Sequence, residues 1–334
     1  SEDWHIDLTL AKIDIDNGYD AFSLDNNRHS LSDEPGFDKQ DSTYFAIKSL
    51  WQLESMDVEV LVNSSESDLA YGYDEDWSFT GIHPWGYTST DHYLRDRDTT
   101  SVELRLVSNL NSRIFFDSTD WVLGVYSLTS DESLTRQYTY LPADFGSDYD
   151  FDTLAVFGQI DTRLSDAWTL STGLRLEQRD TSYNDSEAVE FSPTDSLWGG
   201  KIALEFVASD RALFYASVSR GYKAGGFNTD GSLDADLREF DEEYLIEYEL
   251  GLKTMLVDDQ VALQMAIFYD DRRDQQVKSS VVRVRDDEST EFIDYLGNAA
   301  EGTNRGLEVD LQWSVTDSLE LAANAGWLDA EFDN

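Results

Sequence analysis

The chain contains no cysteine at all, so disulfide staples, thiolate metal sites and a cysteine nucleophile are excluded. Proline is scarce, at 4 in 334 residues. Histidine is equally scarce, and the four histidines, His5, His29, His83 and His92, show no metal-ligand spacing. Basic residues are outnumbered: 24 Lys and Arg face 68 Asp and Glu, a formal charge of −44. A nucleic-acid partner is excluded on that balance, because phosphate binding needs a basic surface. No apolar run reaches the 18 residues of a membrane helix, and Ser1 to His5 has neither the basic flank nor the apolar stretch of a secretion signal. Without a spanning helix, a membrane protein built from this sequence has to be a closed barrel.

What the chain has in abundance is period-two alternation. Trp4, Ile6, Leu8 and Leu10 alternate with His5, Asp7 and Thr9. Val102, Leu104 and Leu106 alternate with Glu103 and Arg105, and Tyr244 to Leu252 alternate with Glu247 and Glu249. Leu307, Val309, Leu311 and Trp313 alternate with Glu308, Asp310 and Gln312. Such rows predict half-buried strands throughout. Segments of about 9–13 residues exceed ordinary globular strands and suit tilted membrane strands. Aromatic residues make up 13% of the chain, in keeping with side chains that favour an apolar–aqueous boundary.

Short Asp-bearing turns recur before outward strands, at Asp57, Asp120, Asp166, Asp210, Asp259 and Asp317. The other connections read as long polar loops over about 15–41, 66–99, 131–150, 181–196, 221–242 and 272–290. Short turns at one rim and long loops at the other predict an all-β, antiparallel up-and-down transmembrane barrel of about thirteen strands. Leu263, Met265, Ile267, Leu307, Val309 and Leu311 are expected to face lipid. Arg175, Glu177, Gln264, Glu308 and Asp310 are expected to line a wet lumen. The rival reading at this level is a soluble, secreted acidic β protein, such as an adhesin or a glycan-binding sandwich, which would account for the charge without a membrane.

The segment Tyr215-Ala216-Ser217-Val218-Ser219-Arg220-Gly221-Tyr222-Lys223-Ala224-Gly225-Gly226-Phe227-Asn228 resembles a strand end of TonB-dependent outer-membrane receptors of the iron-complex type. Further resemblances follow in order at Glu243–Lys253, at Ala266–Tyr269 through Gln275–Val277, at Asn298–Ala300 through Gly306–Glu308, and at Gly326–Ala330. The resemblance implies a 22-stranded barrel around an N-terminal plug, of which residues 1–334 would be one incomplete barrel domain lacking the plug and the closing strands. Strands 4–14 and 319–331 would then be open edges. It also implies an outer-membrane receptor in a Gram-negative bacterium, with no enzymatic activity and no cofactor. Its expected partners are membrane lipid, a small organic ligand such as a ferric siderophore, and the TonB–ExbB–ExbD system acting through the plug.

For ligand contact, the expected loop 66–99 offers Tyr71, Tyr73, Trp77, Trp85, Tyr87 and Tyr93, and the next resembling segment adds Tyr222 and Phe227. Aromatics in an external polar segment can hold an organic ligand by stacking and cation–π contact. The acidic clusters Asp74-Glu75-Asp76 and Asp230 to Asp241 do not match a calcium-loop sequence, and the glycine-rich 221–226 lacks phosphate-loop spacing.

Overall fold

The computed structural model describes residues 3–19, 22–82, 86, 88–229, 231–284, 290–298 and 301–332. The strands are β1 (Trp4–Tyr19), β2 (Gly36–Gln52), β3 (Met56–Asp74), β4 (Thr90–Ser108), β5 (Thr119–Tyr138) and β6 (Phe145–Arg163). They continue as β7 (Trp168–Asp185), β8 (Glu190–Phe191), β9 (Thr194–Ser209), β10 (Ala212–Lys223), β11 (Gly226–Phe227) and β12 (Glu239–Phe240). The last are β13 (Glu243–Leu256), β14 (Val261–Arg273), β15 (Gln276–Val284), β16 (Thr290–Asn298), β17 (Gly302–Thr316) and β18 (Leu319–Phe332). A 3-10 turn, Ala235–Leu237, lies between β11 and β12.

One antiparallel sheet runs β1-β2-β3-β4-β5-β6-β7-β9-β10-β13-β14-β17-β18, with β8 attached to β7. Every long strand pairs with its sequence neighbours in the path, so the chain simply goes up and down. Among the described residues, β1 pairs only with β2 and β18 only with β17. The short connections 53–55, 109–118, 164–167, 210–211, 257–260 and 317–318 therefore share one rim, and Asp166, Asp210, Asp259 and Asp317 sit in them as expected. Asp57 lies one residue inside β3 at the same rim.

The register keeps the two faces separate across all thirteen strands. Ala216, Leu250, Ile267, Leu307 and Trp327 are successive cross-strand partners on one face. Ser217, Glu249, Phe268 and Gly306 are partners on the other. Leu10, Leu104, Leu174, Leu250 and Ile267 are all exposed. Among the described residues no second sheet packs over this apolar face, which suits a hydrocarbon solvent and does not favour the sandwich alternative. Near the short turns the same face carries an aromatic band. Trp4 faces Trp51 at 6.3 Å, Trp168 stacks on Phe206 at 4.5 Å, and Trp121 and Trp313 continue the belt. Indole rings favour this depth because their apolar body and polar N–H straddle the boundary.

Two expectations about length are corrected. Strands β2 to β7 have 17 to 20 residues, well beyond a bilayer crossing, and the loops are correspondingly shorter. In particular, 66–99 is not one loop: β3 continues to Asp74 and β4 begins at Thr90, so Tyr71, Tyr73 and Tyr93 are strand residues. Above the apolar belt both faces are polar, so the amphipathic signal vanishes while backbone pairing continues. Part of the acidic excess sits there, on the outer continuation of the apolar face. Asp14, Asp41, Asp68 and Asp96 are successive cross-strand partners, as are Glu66, Asp98, Asp131 and Asp150.

Candidate functional site

At the long-loop end of the polar face, β3, β4 and β5 bring together six side chains. Tyr71 pairs across strands with Tyr93 and Tyr93 with Arg136, while Tyr73 pairs with Asp91 and Asp91 with Tyr138. Alternation makes this possible: residues two apart share a face, so Tyr71 and Tyr73, Tyr93 and Arg95, and Arg136 and Tyr138 each point the same way. The Tyr71 ring lies 5.7 Å from Tyr73 and 6.4 Å from Tyr93. The Arg136 guanidinium sits 5.2 Å from the Tyr93 ring centre and 4.7 Å from that of Tyr138, and Arg95 lies 5.3 Å from Tyr93.

Asp91 fixes this cluster. Arg136 donates to its two carboxylate oxygens at 2.9 and 2.7 Å, and the hydroxyls of Tyr93 and Tyr73 donate to Oδ2 at 2.9 and 3.4 Å. Arg136 and Asp91 are both buried. A forked, two-bond pairing holds the guanidinium plane and thereby sets the faces of the tyrosines around it. A cavity of about 190 Å³ opens beside them, lined by Tyr73, Tyr93, Arg136, Ser232 and Phe292.

Arg136, Asp91, Arg95 and Tyr138 were not singled out from the sequence. The signal that could have found them is the Tyr-x-Arg and Arg-x-Tyr spacing at 93–95 and 136–138, which places cation and ring on one strand face. Trp77 is in the 75–89 loop and stacks on Phe22 at 4.7 Å, nearly parallel. Trp85 and Tyr87 lie outside the described residues, as do Asp230, Ala299 and Ala300.

Lower on the polar face, Arg175 donates to Glu177 at 3.0 and 2.6 Å and to the Tyr222 hydroxyl at 3.0 Å. Tyr222 in turn donates to Glu177 at 2.9 Å. Arg175 also covers the ring of Tyr126 at 5.1 Å. Three of the residues expected to matter thus form one network. Gln264 and Asp310 are direct cross-strand partners nearer the short turns, and Glu308 pairs with Ala266 on the same face.

Phe227 has a different setting. It is buried in a nest formed by Tyr183, stacked at 5.5 Å, Phe191 at 4.8 Å and Tyr149 at 6.2 Å. Arg238, from the same connection, bonds to Asp185 and to Glu187, the latter at 2.7 Å. Arg136 bonds to Ser232. The 224–242 segment is therefore folded onto the polar face and anchored at three points. Burial disfavours the Arg238 charge, yet its hydrogen bond to Glu187 and the nearby Tyr183 and Asp185 hold its pKa above the ordinary value.

A long up-and-down antiparallel sheet with an apolar outer belt, a charged opposite face and loops folded over one mouth suits an outer-membrane β-barrel. The model of the family described as "TonB dependent receptor-like, beta-barrel" matches residues 5–334, and the chain belongs to that family. Its home is accordingly the outer membrane of a Gram-negative cell. The pesticin receptor of Yersinia pestis is 25% identical over 279 residues, covering 78% of this chain and 39% of that protein. The ferric yersiniabactin uptake receptor FyuA from Yersinia pestis superposes with a TM-score of 0.78 at 19% identity, over 99% of this chain and 50% of that one. The copper transporter OprC gives 0.72 at 15% identity, over 99% and 51%. The chain thus spans 39% of the pesticin receptor and about half of each of these two solved structures.

Proposed function

We propose that this barrel belongs to a receptor for TonB-dependent uptake of a scarce nutrient carried as an organic iron complex, a ferric siderophore or a close chemical relative. The observation that carries the reading is the Tyr71–Tyr73–Tyr93–Arg136 cluster at the mouth. It offers flat π faces and a fixed guanidinium, which suit a rigid, oxygen-rich complex with partial negative charge. The polar face is the lumen wall, and Arg175, Glu177, Gln264, Glu308 and Asp310 line the passage below. Residues 1–334 are part of one barrel domain. Coupling to TonB–ExbB–ExbD would pass through a plug in the part of such receptors that this chain does not span. Capture at low concentration demands tight binding, and release then needs an energy source, which is the reason for such coupling.

The test is expression of the full-length gene in a Gram-negative strain deprived of its own receptors. Uptake of radiolabelled ferric siderophores is compared with that of vitamin B12 and oligosaccharides. TonB-dependent iron accumulation that falls in Y93A and R136A supports the reading; uptake of B12 or glycan alone would overturn it.

A further inference from the structure

We propose that the Asp74–Ser78 turn, where β3 ends at the mouth, binds a hard divalent cation of the calcium class. The starting observation is a buried carboxylate. Asp74 is 4% exposed; its Oδ1 accepts the Asp76 N–H at 3.2 Å, while its Oδ2 is enclosed and has no hydrogen-bond partner. Among the described residues, no Lys or Arg forms an ion pair with Asp74, and Arg136 on the neighbouring strands is committed to Asp91. A buried carboxylate oxygen without a donor is expensive and calls for a positive partner.

The same turn carries further oxygens that could join it. Asp76 is 6% exposed, and its Oδ1 accepts the Ser78 N–H at 3.1 Å. Ser78 is fully buried, with its hydroxyl 3.4 Å from the same oxygen. The bond from the Asp76 amide holds the Asp74 carboxylate across the turn, so the side chains of Asp74, Asp76 and Ser78 come from alternate residues of one tight bend. All the donors are oxygens, with no nitrogen or sulfur, which selects calcium over zinc or copper. No group of three or more carboxylate, His or Cys side chains converges as a metal cluster among the described residues. Two carboxylates, a hydroxyl and backbone carbonyls with water would have to suffice. Phe79 and Trp85 occupy the sixth and twelfth positions counted from Asp74, where helix–loop–helix calcium sites carry glycine and a bidentate glutamate. Binding is therefore in the weak, extracellular range, and the −44 charge of the chain raises the local cation concentration.

The position gives such an ion a role. Trp77, between Asp76 and Ser78, has a left-handed φ of +57° and stacks on Phe22, and the Asp33 amide donates to the Ser78 carbonyl at 3.2 Å. The turn thus joins the β1–β2 and β3–β4 connections beside Tyr73. A bound cation would rigidify the mouth whatever nutrient it takes.

The experiment uses the full-length receptor in detergent. Calcium is titrated by calorimetry at physiological ionic strength, and thermal unfolding is followed with calcium or with chelator. The expected result is one saturable site with Kd on the order of 10⁻⁴–10⁻³ M. It should weaken at least about tenfold in D74N and D76N, and less in S78A. The site should persist in D236N, which removes an exposed carboxylate elsewhere. Calcium should raise the melting temperature of the parent and D236N but not of D74N. Equal calcium uptake by parent and D74N, or no saturable uptake by the parent, overturns the proposal. Should D74N fail to fold, D76N and S78A decide by the same readouts. Since no siderophore enters the assay, failure here leaves the uptake reading untouched.

Discussion

Asp68 on β3 and Asp96 on β4 lie directly opposite each other, and Asp41 on β2 faces Asp68 from the other side. Like charges placed opposite across strands repel. At the β1–β2 edge lysines help, through Lys12–Asp41 at 3.1 Å and Lys39–Asp16 at 2.9 Å. Asp96→Asn should therefore raise the melting temperature at low ionic strength. The gain should shrink as salt screens the row, because the Debye length falls to about 3 Å at 1 M. Calorimetric melts at two salt concentrations check this; a destabilised D96N at low salt would show that the row is not repulsive.

The anchor of the 224–242 segment predicts a local effect. Arg238 is buried against Asp185, whose side chain is also inaccessible. Removing one member of a buried pair strands the other charge, at a cost of about 3–5 kcal/mol. Arg238→Ala should release the segment, seen as faster amide exchange over residues 226–240, with little change in the strands below β7. Asp185→Asn should act in the same direction. Unchanged exchange in both variants would mean that the aromatic nest around Phe227 holds the segment alone.

A third expectation concerns the wall. Gly124 faces Phe157 across β5 and β6, and a Cβ at Gly124 would fall 2.2 Å from that ring. The tip of the ring reaches the glycine, and the Arg175 guanidinium lies 5.8 Å from the ring centre. Gly124→Val should push Phe157 aside and cost about 1–3 kcal/mol by overpacking. Phe157→Ala in the same chain should recover most of that loss. Reversible unfolding in detergent measures both, and a neutral G124V would mean that the ring rotates freely.

Glu242, in the connection before β13, has its pKa raised by burial first and then by Asp195; Arg220 opposes this, and Asp241 and Asp274 add smaller upward pushes. A carboxyl with a raised folded-state pKa binds its proton more tightly in the folded chain. Its stabilising contribution is present below the unfolded value and is lost as pH rises through the folded one. Glu242→Gln should therefore be the more stable form at pH 7, by about 0.5 kcal/mol or less. The difference should vanish once both forms are neutral in acid. Melts across this range decide; a gap that grows in acid would reverse the sign.

The sequence disclosed the barrel where its two faces differ. Leu263, Met265 and Ile267 alternating with Gln264 already specify a strand with a lipid side, and Leu307 to Leu311 match it residue for residue. It was silent where they do not differ. From Ser64 to Asp68 β3 is polar on both faces, so the strand and its Tyr71 and Tyr73 read as loop although the backbone ladder runs on to Asp74. The mouth cluster was half legible. Its tyrosines stood out as aromatics in polar sequence, but Arg136 meets Asp91 across 45 residues, and only strand register brings them together. Phe227 was legible as an aromatic beside a strand end, while its nest of Tyr149, Tyr183 and Phe191 comes from three other elements.

The rows of carboxylates above the apolar belt also bear on how fast anything reaches the mouth. A solute approaching from the medium feels the negative collar at a distance of a Debye length, about 8 Å at physiological salt, before it meets Arg136 or Arg95 at close range. An anionic complex is slowed on the way in and held only after arrival, so its association rate should rise with added salt while its dissociation rate changes little. A neutral complex would pass the collar unhindered, and the ionic-strength dependence of the on-rate alone would then report the charge of the natural cargo.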